Sequence, residues 1–190
     1  MGYHPEKGFL QADWNGYNEA MVLLVLAMGS PTHPIPDNAW QAWCEGYEWD
    51  TFYGENHLNF DPLFGHQYSQ MYIDFRGIQD DFMRTKGSDY FENSRKATLT
   101  NRAYCMDNPQ GFKAYGEHCW GLTACDGPRD VDTLVDGQQR QFFSYRVKRC
   151  LCYTNRGRRY DCAHRSRWFY SFCTRGLLAR IGKHVEYLLR

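Results

Sequence analysis

Nine consecutive apolar residues, AMVLLVLAM at 20–28, end at Gly29 and run into SPTHPIP, with prolines at 31, 34 and 36. Such a stretch is far short of the ~20 residues a membrane span requires. It consists of good helix formers with no polar face, so a helix over residues 16–28 is predicted, buried on every side. The prolines forbid its continuation and make 30–36 an extended loop. A short apolar helix of this kind requires other helices around it, which makes a mainly helical domain the first expectation.

Asp37 is placed to cap a short helix, NAWQAWCEGY, carrying Trp40 and Trp43. EWDTFYGENHLNFDPLFG, residues 48–65, has glycine, proline and Asx punctuation without a sustained period and reads as an aromatic-rich loop or string of turns. In HQYSQMYIDFRGIQDDFMRTKG, Tyr68, Met71, Tyr72, Phe75, Gln79 and Phe82 recur at steps of three and four, predicting one amphipathic helix that ends near Gly87. Asp89 and Glu92 resemble a capping box for a further helix reaching Cys105. Another helix is expected from Gly116 in YGEHCWGLTACDG, and TLVDGQQRQFFSYR reads as a hairpin turning at Asp136-Gly137.

Formal net charge is zero over 190 residues, but the balance is uneven: residues 147–190 hold 11 Lys+Arg and 2 Asp+Glu, whereas residues 1–146 hold 11 and 20. Cysteines divide likewise, with Cys44, Cys105, Cys119 and Cys125 spread through the first part and Cys150, Cys152, Cys162 and Cys173 crowded into the second. Eight cysteines in a chain of this size do not form the framework of a small disulfide-stapled domain. MGYHPEKGFLQADW has no apolar core of a secretory signal. The chain reads as soluble and is long enough for one domain or for part of a larger one.

Candidate chemistry lies in the acidic part. Glu19 in WNGYNEAM stands at the mouth of the apolar helix, flanked by Trp14, Tyr17 and Asn18. An acid in a first turn can simply favour the helix dipole, worth up to about 1 kcal/mol. Aromatic walls also desolvate a carboxyl, which is what a general acid needs. Glu117 repeats the arrangement between Tyr115 and Trp120, and Asp126 closes the same segment. Rings beside carboxylates suit sugars, whose C–H faces stack and whose hydroxyls take charged partners. His66 and His33 are the best-placed histidines, but no HExxH or CxxC pair supports a metal, and no phosphate loop, GxSxG elbow or dinucleotide fingerprint occurs. No metal or cofactor is expected.

GYNEAMVLLVLAMGSPTHPIPDNAW, YGENHLNFDPLFGHQYSQMYIDFRGIQDDFMRTKGSDYFENSRKATL and YGEHCWGLTACDGP resemble, in order, motifs of the bacterial glycoamylase-like domain family, and the resemblance runs almost unbroken over residues 3–146. That family includes endo-β-1,2-glucanases, and a related domain occurs in cyclic β-1,2-glucan synthases. The resemblance implies an all-α fold, part of an (α/α)6 toroid with a small β-hairpin, and two-carboxylate hydrolysis of β-1,2-linked glucan, in the periplasm or outside the cell. It also implies that this stretch is the C-terminal part of the domain, so that earlier helices and an acidic motif would precede it and the chain alone would be inactive. By motif, Glu19 corresponds to the acid that protonates the glycosidic oxygen. Tyr17, His66, Glu117, Trp120 and Asp126 correspond to substrate contacts. The alternative within the resemblance is a carbohydrate-binding or scaffolding domain that does not cleave. Oligomeric state is left open.

Residues 147–190 have three readings. A zinc site on Cys150, Cys152, Cys162 and His164 would need C-x-C-x9-C-x-H, which lacks the usual spacings. A basic nucleic-acid arm fits the charge, but nothing upstream prepares for it, and no nucleic-acid partner is expected. The third reading is a frameshift. Displaced by one base, YDCAHRSRWFYSFCTRGL yields, with a permitted choice of codons, TTAPTAVGGSIPFAPEV, and the single codon for Trp168 forces a glycine there. The family segment after this hairpin has the form APTA-x-x-SIPFAPE. The expectation is therefore a family domain over 1–146 and a tail, 147–190, read in the wrong frame from a point between Arg146 and Tyr160.

Overall fold

The computed structural model describes residues 3–11, 14–109, 115–126, 129–135 and 137–146. The basic tail and its frameshift reading lie outside the described residues. In chain order a minimal hairpin, β1 (Tyr3–His4) and β2 (Gly8–Phe9), precedes α1 (Met21–Met28) and α2 (Asn38–Cys44). A second hairpin, β3 (Trp49–Phe52) and β4 (Glu55–Leu58), leads to α3 (Leu63–Gln67), a 3-10 turn at Ser69–Met71, α4 (Asp81–Lys86) and the long α5 (Tyr90–Asp107). Finally β5 (Cys125–Asp126) pairs with β8 (Tyr145–Arg146) around the hairpin of β6 (Val131–Val135) and β7 (Gln138–Phe142). The chain is helix-rich with a small sheet content, and among the described residues every sheet is a two-stranded antiparallel ladder.

α5 organises the rest. Its start is the predicted one: Asp89 caps it, the carboxylate accepting from the Glu92 N–H at 2.7 Å, and a left-handed Asn108 closes it. Its buried side is unusual in being largely Asn, Ser and Thr, and those side chains bond the main chain of neighbouring segments. Asn93 accepts from the Leu58 N–H at 2.7 Å, Thr100 donates to the Phe52 carbonyl at 3.2 Å, and Asn101 accepts from the Gly121 and Leu122 N–H groups at 3.0 and 2.9 Å. Buried polar groups are tolerable only when so paired.

Several expectations are corrected. The helix predicted over 16–28 begins only at Met21. Gly16 has φ +83, its N–H donates to the Trp43 carbonyl at 2.8 Å, and Asn18 closes an Asx turn by bonding both the Gly16 carbonyl and the Ala20 N–H at 2.8 Å. Side-chain bonds of that kind compete with helix. Nor is α1 buried all round: Met21 is enclosed, but Leu23 and Leu26 are 65% and 64% exposed. α2 forms where expected, although the Asp37 side chain makes no capping bond.

The aromatic loop predicted over 48–65 contains the β3–β4 hairpin, whose Tyr53 and Gly54 both have positive φ, as a tight primed turn requires. The single helix predicted over 66–87 is broken. Asp74 bonds the Arg76 N–H, Gly77 has φ +72, and Asp80 starts a new helix by accepting from the Met83 N–H at 2.8 Å. No helix forms at Gly116; it makes a tight bridge with Cys119 instead.

Two apolar clusters result. The larger gathers Tyr17, Met21, Trp43, Leu58, Phe75, Met83 and Tyr90, with Trp40, Tyr47 and Phe82 against it. At its edge one oxygen of Asp80 accepts from Trp40 Nε1 at 2.8 Å and from the Tyr90 hydroxyl at 2.6 Å, tying α2, α4 and α5 together. The smaller cluster holds Tyr104, Cys105 and Leu122, with Tyr115 and Trp120.

Candidate functional site

Glu19 sits in the turn that feeds α1, half-buried, and the turn is held from two sides. Behind it, Gly16 and Gly46 meet backbone to backbone so closely that a Cβ on Gly46 would lie 2.7 Å from the Gly16 nitrogen. In front, the buried Ser69 hydroxyl donates to the Glu19 carbonyl at 3.3 Å and accepts from the Val22 N–H at 3.0 Å. One carboxylate oxygen of Glu19, Oε2, is enclosed and has no hydrogen-bond partner in the protein. Burying a carboxylate oxygen without a partner is costly, which sets this atom apart from the paired polar groups around it. Trp14, before the turn in sequence, and Tyr68 and Tyr72, on either side of Ser69, are exposed.

Tyr17 and His66 lie directly beneath it, both almost fully buried and with ring centroids 5.0 Å apart. Tyr17 also stacks parallel to Tyr90 at 6.4 Å and packs on Trp43, and burial pushes its hydroxyl up to about 12. His66 bonds the Phe60 carbonyl through Nε2 at 3.1 Å, while its enclosed Nδ1 has no partner. Burial, with a smaller push from nearby His57, lowers its pKa to about 3. His57 is lowered to about 4, again mainly by burial, and bonds the Leu58 carbonyl and Thr100. Both imidazoles are therefore neutral at ordinary pH. The faces of Tyr17 and His66 are packed within the core next to the Glu19 turn.

The other three candidates sit on the second cluster. Glu117 is exposed on the Gly116–Cys119 turn and is paired with Arg102 at 3.1 Å. Trp120 is half-buried against Tyr104 and Leu122, and Asp126 is exposed on β5. α3 joins the two groups: the Leu63 N–H at its start donates to the Leu122 carbonyl at 3.1 Å, and His66, near its end, faces Tyr17. The structure thus brings Tyr17, Glu19 and His66 together and sets Glu117, Trp120 and Asp126 apart as a second group. His33 is exposed on the proline loop, outside both.

Residues that sequence reasoning missed are Ser69, Tyr68 and Tyr72. The two tyrosines read as part of a buried stripe, and the broken helix turns them outward. Among the described residues no three His, Cys, Asp or Glu side chains are grouped to hold a metal, and no helix is long and apolar enough to cross a membrane. Burial pushes the Cys44 thiol up to about 12, so it is no nucleophile.

Residues 11–160 match the model of the Glycoamylase family, described as "Putative glucoamylase", and the chain belongs to that family. It is similar to an exo β-1,2-glucooligosaccharide sophorohydrolase (non-reducing end) of Parabacteroides distasonis, 33% identical over 136 residues, covering 58% of this chain and 18% of that protein. Among solved structures it is similar to an endo-β-1,2-glucanase from Chitinophaga pinensis, in a sophorotriose and glucose complex, with 31% identity and a TM-score of 0.57 over 65% of this chain and 32% of that one. A β-1,2-glucanase from Parabacteroides distasonis gives 29% identity and a TM-score of 0.57, covering 65% and 21%. The chain spans about a third or less of each of these proteins.

Proposed function

We propose that this chain is part of a glycoside hydrolase acting on β-1,2-linked glucan, with Glu19 as the acid that protonates the glycosidic oxygen. The observation that carries the reading is the enclosed, unpartnered Oε2 of Glu19 in a turn braced by Gly46 and Ser69. The similar proteins whose names specify β-1,2-glucan or its oligosaccharides supply the substrate class. Tyr17 and His66 hold the acid in place, and Glu117, Trp120 and Asp126 line more distant sugar subsites.

The fold in this reading is part of an (α/α)6 toroid. Leu23 and Leu26, bare on α1, are the positions that neighbouring helices of the ring would cover. Two-carboxylate hydrolysis needs a partner acid ~5 to 5.5 Å away for retention, or ~6.5 to 9.5 Å away for inversion through a water. That partner is assigned to the remainder of the domain, so this chain alone binds glucan without cleaving it, and the complete protein works in the periplasm or outside the cell.

The test is reducing-end release from linear β-1,2-glucan. The chain as it stands should release none. A version joined to the preceding part of a family domain and restored in frame from the point between Arg146 and Tyr160 should be active, and Glu19→Gln in that version should lower the rate by roughly 10² to 10⁴. Full activity of the Glu19→Gln protein would remove the acid assignment. Saccharide binding with no cleavage by the restored protein would favour the binding or scaffolding role instead.

A further inference from the structure

Tyr68 and Tyr72 follow α3, with ring centroids 5.5 Å apart and ring planes tilted by 59°. They are 44% and 62% exposed. The other side of the same segment is firmly held. Besides the Ser69 bonds to the Glu19 turn, the Gln70 amide donates to the Tyr90 carbonyl and to the Ser94 hydroxyl, both at 3.1 Å. The two rings are therefore fixed from inside while their outer faces remain bare.

The segment that carries them also adjoins the acid's turn, since Ser69, the residue after Tyr68, bonds the Glu19 carbonyl at 3.3 Å. The Tyr68 hydroxyl is pushed above its ordinary value, first by its hydrogen bond with Tyr72 and in smaller part by the Glu19 carboxylate. Two tilted rings with bare faces, next to a carboxyl oxygen that lacks a partner, match a neutral ligand with one C–H face and several hydroxyls. An anionic ligand would be repelled by Glu19.

We propose that Tyr68 and Tyr72 form a ring-stacking subsite that seats one neutral pyranose unit against the Glu19 carboxyl. Tyr72, the more exposed, is the platform, and Tyr68 orients the sugar through its hydroxyl. This rests on the carbohydrate reading above, and the experiment separates the two.

The chain is titrated with sophorose, maltose and cellobiose while the tyrosine ring signals are followed by NMR, for the wild type and for Tyr72→Phe, Tyr72→Ser and Tyr68→Ser. Circular dichroism and melting confirm folding; should the Ser variants fail to fold, the ring-shift pattern of the wild type and Tyr72→Phe decides. The expected result is that sophorose shifts both rings, Tyr72→Phe binds within about threefold of wild type, and Tyr72→Ser binds at least tenfold more weakly, about 1.4 kcal/mol. Sophorose binding that is indifferent to Tyr72→Ser, or that leaves both rings unshifted, would overturn the subsite and leave the glucan reading standing. Binding of maltose or cellobiose alone, lost in Tyr72→Ser, would keep the subsite and remove the β-1,2 assignment. Failure of every sugar to shift the rings at millimolar concentration would overturn the subsite, with the glucan reading judged separately by reducing-end release.

Discussion

Acidification from pH 7 to pH 4.5 should weaken the fold by several kcal/mol, and the cause lies in two histidines. His57 and His66 are buried with ring centroids 5.7 Å apart, and their pKa values are lowered to about 4 and about 3 from 6.5. A folded pKa below the unfolded one means that the unfolded chain takes up protons first. Stability is thus intact above about pH 6.5 and is lost as pH falls from there toward the folded values. At pH 4.5 the unfolded imidazoles are almost fully charged and the folded ones mostly neutral, which costs roughly 2 to 3 kcal/mol for each. Together that is about 5 kcal/mol, comparable with the whole stability of a modest domain. Denaturant unfolding followed by tryptophan fluorescence at several pH values measures the loss, and imidazole NMR titration assigns it. In a variant replacing both histidines by glutamine, the slope between pH 6.5 and 4.5 should flatten. Folded-state imidazoles that titrate near pH 6.5, or a midpoint that moves by less than the equivalent of about 1 kcal/mol, would show that these rings are solvated and refute the reasoning.

Three further outcomes can be checked by thermal or denaturant melts and hydrogen exchange. Gly46→Ala would place a methyl 2.7 Å from the Gly16 nitrogen, and with backbone on both sides it should cost about 1 to 3 kcal/mol and displace the Glu19 turn. Asp80→Ala removes a helix cap and the acceptor for Trp40 and Tyr90; a loss of about 3 to 5 kcal/mol is expected, with Asp80→Asn in between because its Oδ1 still caps while its NH2 cannot accept from Trp40 Nε1. Asn101→Ala breaks three bonds to Gly121 and Leu122, so amide exchange at these two residues should accelerate well before the Asp89 end of α5 is affected.

Where the controlling interaction was local, the sequence was readable. The Asp89 cap of α5 and the β6–β7 hairpin each depend on a few adjacent residues, and both stand where expected. Elements decided by distant partners were not. The turn at 16–20 is held by Trp43, and the outward set of Tyr68 and Tyr72 depends on Ser69 and Gln70 reaching Val22, Tyr90 and Ser94. The three-and-four spacing over 66–87 was real, but Asp74, Gly77 and Asp80 cut it into pieces whose faces point differently. For the site, aromatic flanking drew attention to Glu19, whose Oε2 is enclosed without a hydrogen-bond partner. The same criterion does not distinguish an exposed ring from an enclosed one, and the packing of distant segments puts Tyr17 and His66 in the core.

The polar side of α5 has a consequence for how this domain can vary. Asn93, Thr100 and Asn101 read amide and carbonyl groups of Leu58, Phe52, Gly121 and Leu122, atoms that every amino acid except proline supplies in full. A helix that recognises main chain fixes where a loop passes without dictating its side chains. The segments docked on α5 can therefore exchange residues, and with them what they contact, while the path of the chain stays the same.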